Sequence, residues 1–415
     1  MIVLWVTTLI AVALGALAIG AAVYGFLRPE TVLSSAKAKK KNTHNFKSID
    51  SISNIAILIA CFRGEATIAS TVKAAIATGC DVYVVDDGSK LKKVNDKADR
   101  PIDQTTEVAR RAGAIVVELL HNVGKPAALL EAYQELQLSQ RYQAVAILDD
   151  DVQIEPDFIY QANKLMTKEV AIVVGKNITW WPDSLKWNIW IASRAYSYWS
   201  YQIVIRKIQS FFNVMNCISG SNSLYRTELL DVVLFTKPPY IVDDTFWVLE
   251  THRRQLGNII YAPKAKAYLQ DPTNFKDWYN QNLRWLWGTF QGIIGHRVGK
   301  SLTRFDFAYV VMMIQWAIYV ISGPVALYVI FYLSLRNPYV LLSFVGGYGI
   351  WVVVCAVALR KLRLIFFIPV IIVADLIYRF IFVHALIKAI RQPTVKDCKW
   401  DSPARINNLV GEMIK

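Results

Sequence analysis

Acidic residues stand where apolar runs stop. Asp149-Asp150-Asp151 follows directly on an apolar run at 144–148. In extended backbone residues i and i+2 project to the same side, so Asp149 and Asp151 should converge while Asp150 turns away. Two carboxylates that close stay ionised together only around a cation. An all-oxygen set suits Mg2+ or Mn2+, which bridge diphosphate oxygens. The plain alternative is a strand-end turn, where Asp is common. Asp86-Asp87-Gly88-Ser89 carries the same two readings, because Asp-Gly is itself a turn signal.

Three further groups have chemistry in their residue types. His121-Asn122-Val123-Gly124-Lys125-Pro126 leads into a helix whose first turn holds Pro126. A cation is out of place at a helix N-terminus; a bound phosphate would explain Lys125, and so would a side chain lying in solvent. Asp243-Asp244 opens a helix running through Glu250. One acid there serves as N-cap, and the second is then available as a general base toward a hydroxyl. Gln281-Asn282-Leu283-Arg284-Trp285 lies in a helical stretch crowded with Trp278, Tyr279, Trp287 and Phe290. Such rings fill a core, sit in a membrane-interface belt or stack on sugars, while an arginine fork suits phosphate. Periodicity does not choose among these.

The elements that must position these groups alternate along the chain. Residues 55–60, 81–85, 114–119 and 144–148 read as buried strands; 66–77, 105–112 and 127–138 read as helices, with Gly79 and Gly113 placed to end the first two. Repeated units of this length predict a doubly wound, mostly parallel sheet. Ligands bind beyond the carboxyl ends of such strands, where two of the acidic clusters fall.

The 415 residues carry a formal net charge of +14, are 54% hydrophobic and have a mean hydropathy of +0.31. That hydropathy has a source in four apolar runs, 2–27, 307–335, 339–359 and 364–390. Each reaches the roughly 20 residues that cross a bilayer as a helix. The first lacks the basic region and cleavage pattern of a signal peptide and reads as an anchor. Lys and Arg crowd the stretch 28–47 and recur at Arg360, Lys361 and Arg363, which predicts a cytoplasmic central domain. The fourth run, holding Asp375 and Arg379, reads as a single span or a re-entrant hairpin. The expected layout is an anchor at 1–27, a basic linker at 28–53, the central domain at 54–300, about three spans in 301–390 and a basic tail at 391–415. The positive charge suits anionic lipid headgroups or a phosphate-bearing substrate. No basic face with interleaved aromatics favours nucleic acid. The five cysteines form no metal-spaced pair, and their odd number fits a reducing compartment.

Taken in order, Asp-Asp-Gly-Ser, Asn-x-Gly-Lys, Asp-x-Asp, an acidic pair and Gln-x-x-Arg-Trp, followed by apolar runs, resemble the family 2 glycosyltransferases. The likeness spans about 55–291 and is strongest to processive hyaluronan, cellulose, chitin and chito-oligosaccharide synthases. It implies a GT-A-like domain and transfer, with inversion, from a UDP-sugar to a growing polysaccharide at the plasma membrane. By resemblance Asp87 binds the uridine with Lys125 nearby and Phe62 stacking on the base. Asp149 and Asp151 hold the Mg2+ or Mn2+ and diphosphate, and Asp244 is the base. Arg284 steadies the leaving diphosphate; Gly220, Ser221, Gln281 and Trp285 face the acceptor. The chain departs from the family at Ala60-Cys61-Phe62-Arg63-Gly64-Glu65, where a Pro-x-Tyr-Asn-Glu-like stretch is usual. A second copy or an export partner is compatible with this reading. The alternative is a single-addition enzyme on a lipid acceptor, like the ceramide glucosyltransferases.

Overall fold

The computed structural model describes residues 45–90, 103–301 and 303–395. The expected anchor at 2–27, most of the basic stretch after it and the tail beyond 395 lie outside these residues.

β1 (Ile55–Cys61) is a run of isoleucine and alanine with no polar position, as a strand covered on both faces requires. Ala56 and Leu58 face one core, with α3 (Lys125–Glu135) packed over it through Ala128, Leu129 and Ala132. Ile55, Ile57 and Ile59 face the other, under Ile68, Val72 and Ala75 of α1 (Ile68–Ile76). The chain is thus wound on both sides of one sheet. β2 (Asp81–Asp86), β3 (Ile115–Glu118) and β4 (Ala144–Asp149) run parallel to β1, and α2 (Thr105–Arg111) joins β2 to β3.

Register brings the acids together. Cys61 pairs with Asp86 and Ala60 with Asp149, so three strands end at one edge. Beyond the predicted units the sheet gains β5 (Val152–Ile154), β6 (Val170–Thr179), β7 (Asn222–Arg226) and β8 (Asn258–Leu269), in the order β3-β2-β1-β4-β7-β6-β8-β5. β7 runs antiparallel to both neighbours, and β5 antiparallel to β8. The mostly parallel, helix-covered sheet matches the expected fold class.

Three further helices belong to the central part of the chain. α4 (Ile189–Ser200) continues through a π-helical stretch, Tyr201–Arg206. Along this helix Gln202 exchanges two hydrogen bonds with the Asn177 backbone on β6. α5 (Asp243–Arg253) precedes β8, and α6 (Phe275–Gly295) follows it. α7 (Arg304–Tyr328, continuing to Arg336), α8 (Pro338–Ala358) and α9 (Ile368–Arg391, after a 3-10 turn from Leu362) are long and apolar enough to cross a membrane. The fourth run is therefore one continuous helix. Its charges pair one turn apart, Arg379 Nη2 lying 2.9 Å from Asp375 Oδ2, and Tyr319 and Tyr348 donate to the same carboxylate. Ionisable groups in so apolar a helix need that kind of partner.

α6 resolves the ambiguity of its aromatics. Trp278, Trp287 and Phe290 are buried against Ile381, Phe382 and Ala385 of α9. Trp285 packs instead against Tyr198 and Arg194 of α4.

Candidate active site

Asp86 and Asp87 end β2 and divide the work. Asp86 is fully buried and accepts from the hydroxyls of Ser89 and Thr106, so it builds the turn. Asp87, 4% exposed, accepts from the Val123 amide at 2.7 Å, the Gly124 amide at 2.9 Å and the Asn122 side chain at 3.1 Å. Burial lifts its pKa, and the two amides oppose the lift. Gly88 and Gly124 both have positive φ, and a Cβ on Gly88 would fall 2.6 Å from the His121 carbonyl carbon. Only glycine lets the two loops come this close. Beside them, Phe62 lies under the Arg63 guanidinium at 5.3 Å, and the Arg63 amide donates to Ser89 Oγ.

β4 ends at Asp149, and Asp150-Asp151 form a turn, so strand alternation does not extend to Asp151 as expected. Asp150 does point away: it is 5% exposed and accepts from Cys61 Sγ at 3.1 Å. The Asp149 side chain is 38% exposed. Among the described residues no three His, Cys, Asp or Glu side chains converge as a metal cage. Asp149 and Asp151 each offer carboxylate oxygens, the donor type that a hard cation takes.

Lys125 does not lie in solvent. Its Nζ sits 2.5 Å from Asp149 Oδ1 and 3.0 Å from the Gly220 carbonyl. Burial would push its pKa down, but Asp149, Asp243 and Asp244 together hold it above the ordinary lysine value. Gly220 links the two halves of the site, because its amide donates to Asp244 Oδ2 at 3.1 Å. Ser221 is buried, with its hydroxyl 2.9 Å from that of Ser219.

Asp243 and Asp244 are the first two residues of α5, and Val242 is the N-cap. The expected capping role for one acid is thus corrected: neither side chain caps the helix. Both instead place charge in its first turn, where the helix dipole favours anions. Asp243 Oδ2 is buried with no hydrogen-bond partner among the described residues. Burial and the Asp243 charge raise Asp244 to a pKa of about 6, while Lys125, the Gly220 amide and Arg284 oppose the rise. Arg284 lies in the field of Asp244, Asp243 and Asp149; burial lowers its pKa and those acids resist.

One residue that sequence reasoning passed over organises the far wall. Arg194 of α4 is 3% exposed and donates to Gln281 Oε1 at 2.6 Å and Asn282 Oδ1 at 3.0 Å. Its Nε lies 3.4 Å from Asp271 just past β8, and its guanidinium carbon 4.7 Å from the Trp285 ring centroid. Burial raises Asp271 to about 6 against the pull of Arg194. Gln281 and Trp285 are therefore engaged by Arg194 in this structure. The missed signal was an arginine in Ile-Trp-Ile-Ala-Ser-Arg-Ala-Tyr with no acid within a helical turn. A charge in a stretch bound for burial must find its partner elsewhere in the fold.

The chain thus combines a mostly parallel sheet carrying acids at its strand ends with three helices long and apolar enough to cross a membrane. The profile described as "Glycosyltransferase like family 2" matches residues 53–288, more than half of the chain, and the chain belongs to that family. Hyaluronan synthase 1 of Xenopus tropicalis is 30% identical over 95 residues, 21% of this chain and 16% of that protein. Poly-beta-1,6-N-acetyl-D-glucosamine synthase of Staphylococcus aureus (strain COL) is 22% identical over 273 residues, 65% of this chain and 62% of that protein. The chain thus spans under two thirds of either relative. A mannosyltransferase from Pyrobaculum calidifontis, solved with GDP-Man and Mn2+, has a TM-score of 0.53 at 16% identity, covering 89% of this chain and 99% of that one. That likeness shows the fold.

Proposed function

We propose that the chain transfers a sugar, with inversion, from a UDP-sugar to a hydroxyl of a growing polysaccharide. The observation that carries this reading is the single charged cluster in which Lys125 bridges Asp149 to Gly220 while Gly220 holds Asp244. Donor-side and acceptor-side acids meet there. Asp87 and the 122–124 loop form the uridine side, with Phe62 against the base. Asp149 and Asp151 would hold Mg2+ or Mn2+, which when bound would offset diphosphate charge.

Asp244 takes the proton of the attacking hydroxyl as the new bond to the sugar's anomeric carbon forms. The bond from that carbon to the diphosphate oxygen breaks on the opposite side, and UDP leaves. A pKa of about 6 keeps Asp244 largely ionised near neutral pH yet more basic than an ordinary aspartate, as a general base needs. Arg284 offers its positive charge to the departing diphosphate. Gly220, Ser221, Gln281 and Trp285 line the acceptor side.

The Arg360–Arg363 cluster at the end of α8 supports a catalytic domain, about 54–300, on the cytoplasmic face of the plasma membrane. The test is purified full chain incubated with a panel of UDP- and GDP-sugars and Mn2+, with nucleotide release and product size measured. Release of UDP with an extended saccharide is expected. Consumption of GDP-sugars alone would overturn the donor assignment, and a single-sugar product on lipid would overturn processivity.

A further inference from the structure

We infer that Arg194 is a positioning residue for this reaction: its fork fixes the rotation of α6 and the plane of the Trp285 ring. The inference rests on the reading of α6 as the acceptor-side wall. Arg194 reaches α6 from a separate helix and engages three of its side chains on neighbouring turns. Gln281 and Asn282 accept at 2.6 and 3.0 Å, and the guanidinium lies 4.7 Å from the Trp285 ring centroid. The Tyr198 ring stacks against Trp285 at 6.4 Å and 28°. Asn282 cannot turn aside, because its amide nitrogen already donates to the Trp278 carbonyl at 2.7 Å.

Arg284 stands between these gripped positions in the sequence and lies in the field of Asp244, Asp243 and Asp149. Any rotation of α6 about its axis would carry Arg284 off those acids and tilt Trp285 together. Counter-charge alone would not need this arrangement. Asp271 could be neutralised by a lysine, but a lysine is a point charge without the planar fork or the flat face that covers the indole.

The experiment uses the full chain in detergent with Arg194→Lys, which keeps a positive charge near Asp271. In the proposed transfer assay kcat should fall about 10- to 100-fold, the scale of a small misplacement of reacting groups. Donor KM and Tm should stay near wild type while acceptor KM rises. Independently of activity, 5-fluorotryptophan labelling with the Trp285 resonance assigned by Trp285→Phe should show that fluorine signal displaced in R194K and the other resonances in place. A second variant, Arg194→Met with Asp271→Asn, removes both charges and should stay impaired with Trp285 displaced. Wild-type kcat and an unmoved Trp285 signal in either variant would overturn the inference and leave Arg194 as a counter-ion. If the wild type transfers no sugar, the functional reading fails, and the fluorine signal still decides the role of Arg194.

Discussion

The cradle around Asp87 buries a carboxylate, the cleft around Asp244 half-buries one, and both raise its pKa, but they are assembled differently. Around Asp87, two consecutive strand–loop–helix units supply everything, and the carboxylate is filled by backbone amides. Around Asp244, partners arrive from the β4–α3 side, the loop before β7 and α6, and they are mostly charges. A carboxylate saturated by amides is a fixed scaffold. One balanced among charges has a pKa that its neighbours set, which suits proton transfer. Substitutions should therefore act on donor affinity in the first region and on turnover in the second.

The largest expected effect joins the two regions. Chelation of the purified enzyme with EDTA should abolish transfer, and Mn2+ or Mg2+ should restore it; full activity in chelator would remove Asp149 and Asp151 from a metal role. Next, Asp87→Asn should weaken UDP binding about 10- to 100-fold, since hydrogen bonds to a charged group are worth roughly 1.5–3 kcal/mol. Calorimetry reads this, and kcat at saturating donor should hold. An unchanged UDP affinity with a lost kcat would erase the contrast. Gly220→Ala should lower kcat several-fold with little change in Tm, because its Cβ would sit 3.1 Å from Asp244 Oδ2 and push on it.

The smallest effect is on the pH profile. Transfer should fall as pH drops through about 6, where Asp244 takes up a proton and can no longer act as base. Asp243 raises that pKa, so Asp243→Asn should move the acid limb of kcat/KM to lower pH. A limb that stays put would show that the two acids are not in contact through charge.

The donor side was legible because its signals are local. Continuous apolar runs gave the strands β1 to β4, Gly113 closed α2, and the acids followed their strands directly. β7 was not legible, for Asn-Ser-Leu-Tyr-Arg has neither alternation nor an apolar run and is buried only by its neighbours. The capping role given to one acid of the Asp243-Asp244 pair was misread because N-cap preference speaks for any Asp near a helix start, and here Val242 occupies that position. Lys125 read equally as phosphate ligand or solvated side chain; only the long-range approach of Gly220 places it. Arg194 escaped for the same reason, since its partners lie on α6 and beyond β8.

The central claim is that Asp244 is the base within this charged cluster, and Asp244→Asn tests it most directly. Transfer and UDP affinity should be measured together on the wild type and the variant, with saturating donor and acceptor and Mn2+ present. Turnover should drop roughly 10²- to 10⁴-fold, the usual worth of general-base catalysis, with UDP affinity and Tm retained. Wild-type turnover in Asp244→Asn, with Asp243→Asn inactive, would place the base one residue earlier. Activity in both variants would contradict the account.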